Sequence, residues 1–144
     1  TTEIYTLSLH DALPIYNHAY QAYQQNSIQT ATPGELTLML YNGCLKFIKL
    51  AKRDIENKNI EGKNTNIQKA QSIIQELMIT LNPEIEISKQ LMPLYDYLHH
   101  QLMQANIKND ISILDEVESF VVDFRDTWKE VIKLNRQNAK VSGS

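Results

Sequence analysis

The stretch from Tyr20 to Ala51, YQAYQQNSIQTATPGELTLMLYNGCLKFIKLA, decides how the chain is read. Within it, Thr32-Pro33-Gly34-Glu35 has the form of a capping box: the Thr32 hydroxyl can accept from the Glu35 amide, and the Glu35 carboxylate can reach back. Pro33 takes the first helical position, where its missing N–H is no loss. A helix is predicted to start here and to run to about Glu56. From Leu36 to Ala51, 11 of 16 positions are apolar, whereas a helix with one buried face needs about three in seven. A second face is therefore buried too, or binds.

Outward from this segment, glycine and proline are sparse, four of each, and no strand alternation recurs, so the chain reads as all-α. A second helix is expected over about Ile60 to Leu81, with Ile67, Ala70, Ile73, Ile74, Leu77 and Leu81 on one stripe. It stops at Asn82-Pro83, because the residue before proline avoids helical backbone. A third is expected over about Glu84 to Ala105, kinked or divided by Pro93, its main part carrying Leu94, Tyr95, Leu98 and Leu102. The fourth begins near Asn109-Asp110, both good caps, and runs to about Gln137 through Leu114, Val117, Val121, Phe124, Trp128 and Val131. Short loops between helices of similar length favour antiparallel neighbours, hence an up-down four-helix bundle preceded by an N-terminal arm.

The first fifteen residues, TTEIYTLSLHDALPI, match in one frame the translation of a common sequencing adapter, and Thr1 to Ile15 are set aside as a scar. The native gene is then expected to continue upstream of Tyr16 for a few residues. The expected organisation is a leader at 1–15, an arm at 16–32, a bundle at 33–137 and a frayed tail at 138–144, where Val141 is the only packing residue beyond Ala139.

The net charge is −3, and without Glu3 and Asp11 of the leader it is −1. Such a balance gives no single-sign field to draw nucleic acid or an anionic membrane, and no basic cluster alternates with aromatics. The single cysteine, Cys44, rules out an internal disulfide and fits a reducing compartment. No apolar run reaches the roughly 18 residues of a membrane span.

Four segments, NHAYQAYQQNSIQTATPGELTLMLYNGCLKFIKLA, KNTNIQKAQSIIQELMITLN, LYDYLHHQLMQANIKND and FRDTWKEVIKL, occur in order. Together they resemble the flagellar secretion chaperone FliS family, of the kind found in Gram-positive, Bacillus-like bacteria, over Asn17 to Leu134. The resemblance implies a cytosolic, non-enzymatic four-helix bundle without a cofactor. It implies stoichiometric binding of the C-terminal region of new flagellin, which is kept monomeric and presented to the export gate protein FlhA. It further implies that the flagellin tail, disordered when free, is held as helical and extended pieces in apolar grooves. The chain departs from the family only at its extreme N-terminus.

A disordered tail that folds on binding must offset its ordering entropy by burying apolar side chains, which calls for grooves along helices. If Leu36, Leu40, Phe47 and Ala51 face the core, then Leu38, Tyr41, Leu45 and Ile48 lie on an adjoining stripe open to a partner, a split uncertain by one rotation. The family resemblance carries a partner-binding role onto Tyr20 and Tyr23, the Y-x-x-Y of the arm. The arm either masks the groove until flagellin displaces it or docks permanently on the bundle. Trp128 reads as a core or bundle-end anchor, Cys44 as a small buried hydrophobe, and Lys46, Lys49, Lys52 and Arg53 as a solvated face. Of Tyr95 and Tyr97, one must face the core.

Two other classes were weighed. A di-metal carboxylate bundle needs inward Glu-x-x-His pairs, and the chain has only Asp96-x-x-His99, with His18 in the arm. A histidine phosphotransfer module would use His99 or His100, but His-His-Gln-Leu-Met lacks the lysine and glycine that leave such an imidazole open.

Overall fold

The computed structural model describes residues 33–143. Four helices account for almost all of them: α1 (Pro33–Glu56), α2 (Ile60–Thr80), α3 (Glu86–Lys108) and α4 (Ile111–Gly143). Thr32 of the capping box, the arm and the leader lie outside the described residues. The start of α1 at Pro33 and its end at Glu56 are where the sequence put them.

The connections show why the chain turns where it does. Between α1 and α2, Lys58 takes a left-handed backbone (φ 58°), and the Asn59 amide donates to the Asp54 carbonyl at 2.8 Å. The Asn59 side chain then caps α2 by accepting from the Gly62 amide at 3.0 Å. A Cβ at Gly62 would stand 2.6 Å from Asn59 Nδ2 and 3.0 Å from Asp54 Cγ, so a larger residue there would displace the capping Asn59 side chain. Between α3 and α4, Asn109 is left-handed (φ 52°), the conformation asparagine tolerates at a helix end. Asp110 follows and accepts from the Ser112 amide at 2.9 Å, capping α4.

Side-chain contacts fix the directions. Lys52 near the end of α1 reaches Asp115 and Glu118 near the start of α4, while Trp128 in the second half of α4 donates to the Gly34 carbonyl at the start of α1. Lys63 at the start of α2 donates to the Asn106 carbonyl at the end of α3. Gln101 and Tyr97 of α3 both donate to Glu116 of α4. Neighbours in sequence therefore run antiparallel, and α1 closes the ring against α4. This is the up-down bundle expected.

Three details differ from the sequence expectation. α3 spans Glu86–Lys108 where Glu84 to Ala105 was expected, and of the two alternatives at Pro93 division is excluded. Pro93 lacks an N–H, so only the bond to the carbonyl four residues back is lost, and buried Tyr95, Leu98 and Leu102 hold the helix against the core beyond it. α4 extends to Gly143 rather than stopping near Gln137, because Asn138 to Ser142 contain no proline or glycine to break it. Lys52 is not part of a solvated face but is half-buried between two carboxylates.

Candidate functional site

The abundance of apolar residues on α1 is resolved by its position in the ring. α1 packs against α2 on one side and α4 on the other, so two faces are covered. Leu40, Cys44, Ile48 and Ala51 are fully buried, and Tyr41, Leu45 and Phe47 are nearly so. The expectation that Tyr41, Leu45 and Ile48 offer an open stripe is thereby corrected: all three belong to the core. The helix is rotated relative to the assumed split, and Leu36, assigned to the core, is only half-buried.

Tyr41 shows what fixes that rotation. Its hydroxyl meets the Tyr95 hydroxyl at 2.6 Å across the bundle diagonal, either one able to donate. Phe124 packs edge-on against the Tyr95 ring at 5.7 Å and tilted against Tyr41 at 6.0 Å. Two hydroxyls buried in an apolar layer need each other as partners. Burial pushes both phenols above their ordinary range. Tyr97, by contrast, is exposed, so Tyr95 is the core member of the pair. Cys44 is buried, and its thiol is pushed up to about 12 by that burial, which leaves it unreactive.

Leu38 is the one member of the four-residue stripe that remains partly accessible. It lines a cleft of about 320 Å³ between the start of α1 and the end of α4, with Glu35, Lys129, Ile132, Lys133, Arg136 and Gln137. Arg136 pairs with Glu35 across the mouth. Half-buried Trp128 packs on the core and donates its indole N–H to Gly34 at 2.7 Å, an anchor at the bundle end as expected. Tyr20 and Tyr23 lie outside the described residues.

The sequence reading missed where the uncovered apolar surface is. Most of it lies on α3, where Ile87, Met92, Leu94, Tyr97, Met103 and Ile107 are all exposed, Ile107 by 69%; Ile60 and Ile79 of α2, Ile85 before α3 and Leu134 of α4 are exposed as well. Leu94 and Tyr97 flank the core stripe on the α4 side, where Tyr97 meets Phe120 at 6.2 Å. The signal was present in the sequence, because α3 holds more apolar residues than its core stripe of Tyr95, Leu98, Leu102 and Ala105 can use. The reading also passed over Glu76 of α2, which is 1% exposed and whose Oε2 has no hydrogen-bond partner among the described residues. Burial raises its carboxyl to about 7.

Chemistry of other kinds finds little here. Among the described residues no group of three or more His, Cys, Asp or Glu is placed to hold a metal ion, and no helix is long and apolar enough to cross a membrane. His99 is half-buried and His100 exposed on α3.

These features define a class first: an all-α, up-down four-helix bundle whose exposed apolar residues suit it to holding other proteins. The family is defined by comparison with known proteins. The model of the flagellar protein FliS family matches residues 16–135, and the chain belongs to that family. It is 60% identical over 124 residues to the flagellar secretion chaperone FliS of Bacillus subtilis strain 168, covering 86% of this chain and 93% of that protein. It is 34% identical over 117 residues to the protein of the same name from Escherichia coli K12, covering 76% and 86% respectively. A crystal structure of a flagellar chaperone from bacteria shares the fold, with a TM-score of 0.67 at 23% identity over 81% of this chain and 96% of that one. The family is one of chaperones, not enzymes.

Proposed function

We propose that the protein binds the C-terminal region of flagellin in the bacterial cytoplasm, prevents its premature polymerisation, and presents the complex to the export gate protein FlhA. The observation that carries this reading is the set of exposed apolar side chains on α3, Leu94 and Tyr97 on one flank and Met92, Met103 and Ile107 on the other, in a member of a flagellar secretion chaperone family. Exposed apolar surface of this kind marks an interaction site. A tail that folds on binding would wrap these residues and bury about 1,000 to 3,000 Å², enough to offset several kcal/mol of ordering.

Within this reading Leu38 and its cleft extend the groove at the bundle end, and Tyr20 and Tyr23 of the arm contact the tail or cover the groove when it is empty. Tyr41, Leu45 and Ile48 support the site from beneath by holding α1 in register, without touching the partner. The test is co-purification with flagellin carrying or lacking its C-terminal region. Leu94→Asp and Met103→Asp should weaken capture of full-length flagellin by about tenfold or more, equivalent to about 1.4 kcal/mol, and leave helical circular dichroism intact. Undiminished capture of tail-less flagellin refutes the proposal.

A further inference from the structure

We propose that the outer face of α1 is a docking surface for an acidic amphipathic helix of a partner protein. A cleft of about 550 Å³ lies there, lined by Asn42, Leu45, Lys46, Lys49, Leu50, Arg53 and, from α4, Arg125. Four of its seven lining residues are cationic and none is a carboxylate. In a chain of net charge −3, or −1 without the leader, that segregation is the informative feature.

Some surface cations elsewhere are paired, while Lys58, Lys108, Lys129 and Lys133 are exposed without an ion pair among the described residues; what sets this cleft apart is four cations gathered on one lining. Lys52, on the adjoining flank of the same helix, is held by Asp115 and Glu118; Lys89 pairs with Glu86 and Arg136 with Glu35. Lys46, Lys49 and Arg53 form no ion pair with a described residue. Lys46 stands 5.7 Å from the Phe47 ring centre. Among the described residues Arg125 bonds its chain neighbour, Asp126, at 3.1 Å, at the margin of the cleft. The three lysine and arginine positions of α1 recur at i, i+3 and i+7, a stripe about 10 Å long at 1.5 Å rise per residue. Beneath them half-buried Leu50 forms an apolar floor, backed by the core residue Leu45.

This combination selects the occupant. A helix carrying Asp or Glu at the same spacing would pair its carboxylates with the stripe and lay apolar side chains on Leu50. A nucleic acid fits less well: no aromatic side chain lines the cleft for a base to stack on. The net negative charge of the remaining surface also repels a long polyanion beyond the patch. The surface is on the opposite flank of the bundle from the α3 residues, so its use does not depend on flagellin binding there.

The experiment uses the full chain and a labelled synthetic peptide of about 20 residues, amphipathic, with glutamate at i, i+3 and i+7 beside a leucine stripe. Its counterpart has glutamine for each glutamate, and a single-stranded DNA of similar length serves as competitor. Fluorescence anisotropy should show the glutamate peptide binding, and binding should weaken as salt rises from about 0.05 to about 0.3 M. Both K46E/K49E/R53E and K46Q/K49Q/R53Q should lower affinity by about tenfold or more, with melting temperature and flagellin-tail capture unchanged. Equal binding of the two peptides, indifference to both triple variants, or tighter binding of the DNA would overturn the proposal.

Discussion

Replacing Glu76 with glutamine should make the bundle more stable at pH 8 and change it much less at pH 5. Glu76 lies on α2 with 1% of its surface exposed and with Oε2 unpartnered among the described residues, and burial lifts its carboxyl from 4.5 to about 7. A raised acid binds its proton more tightly in the folded state than in the unfolded one. Stability from this group is therefore greatest below about pH 4.5, falls as pH rises toward 7, and stays low above it. At about 1.36 kcal/mol per tenfold change in proton affinity, the full penalty on the ionised form is at most about 3 kcal/mol, and relaxation with water entry brings the expected gain to about 1–3 kcal/mol. Glutamine keeps the shape and a polar head, so at pH 5 it differs little from protonated Glu76. The assay is urea unfolding of both proteins at pH 5, 6, 7 and 8, comparing midpoints at constant slope. If the two stabilities run parallel across that range, or if glutamine destabilises at pH 8, the ionised carboxylate has a compensating partner and the reasoning fails.

Two further outcomes are expected. Tyr41→Phe and Tyr95→Phe should each cost about 1–2 kcal/mol by leaving the other buried hydroxyl unpartnered, while the double variant should cost less than their sum; additive losses in denaturation would show that the hydroxyls are not coupled. Lys52→Met should destabilise by about 0.5–1 kcal/mol at low salt, with the difference shrinking at high salt, because the half-buried lysine draws its effect from Asp115 and Glu118. A salt-independent difference in melting would assign Lys52 a packing role instead.

The bundle was legible in the sequence because its signals are local. Pro33 and Glu35 open α1, Asn57-Lys58-Asn59 ends it, Asn82-Pro83 stops α2, and Asn109-Asp110 separates α3 from α4 through a left-handed residue and a carboxylate cap. Each depends on interactions within a few residues. The apolar stripe of α2 needed only the helical repeat to be read, and Ile67, Ala70, Ile73, Ile74 and Leu77 are all buried. Family membership was likewise written in residues 16–135.

The rotation of α1 was not legible. With 11 of 16 positions apolar, the helix offers more than one acceptable core face, and its own periodicity cannot choose among them. The choice is made by Tyr95 and Phe124, distant in sequence, which hold Tyr41 inward and carry Leu45 and Ile48 with it. Most of the uncovered apolar surface falls on α3, and Lys52, one residue from Arg53 in sequence, turns inward to two carboxylates of α4. Local sequence determined where each helix begins and ends, since caps and breakers act on their own backbone. Which face each helix presents was decided by tertiary structure, because burial is settled by neighbours that the chain brings together only on folding.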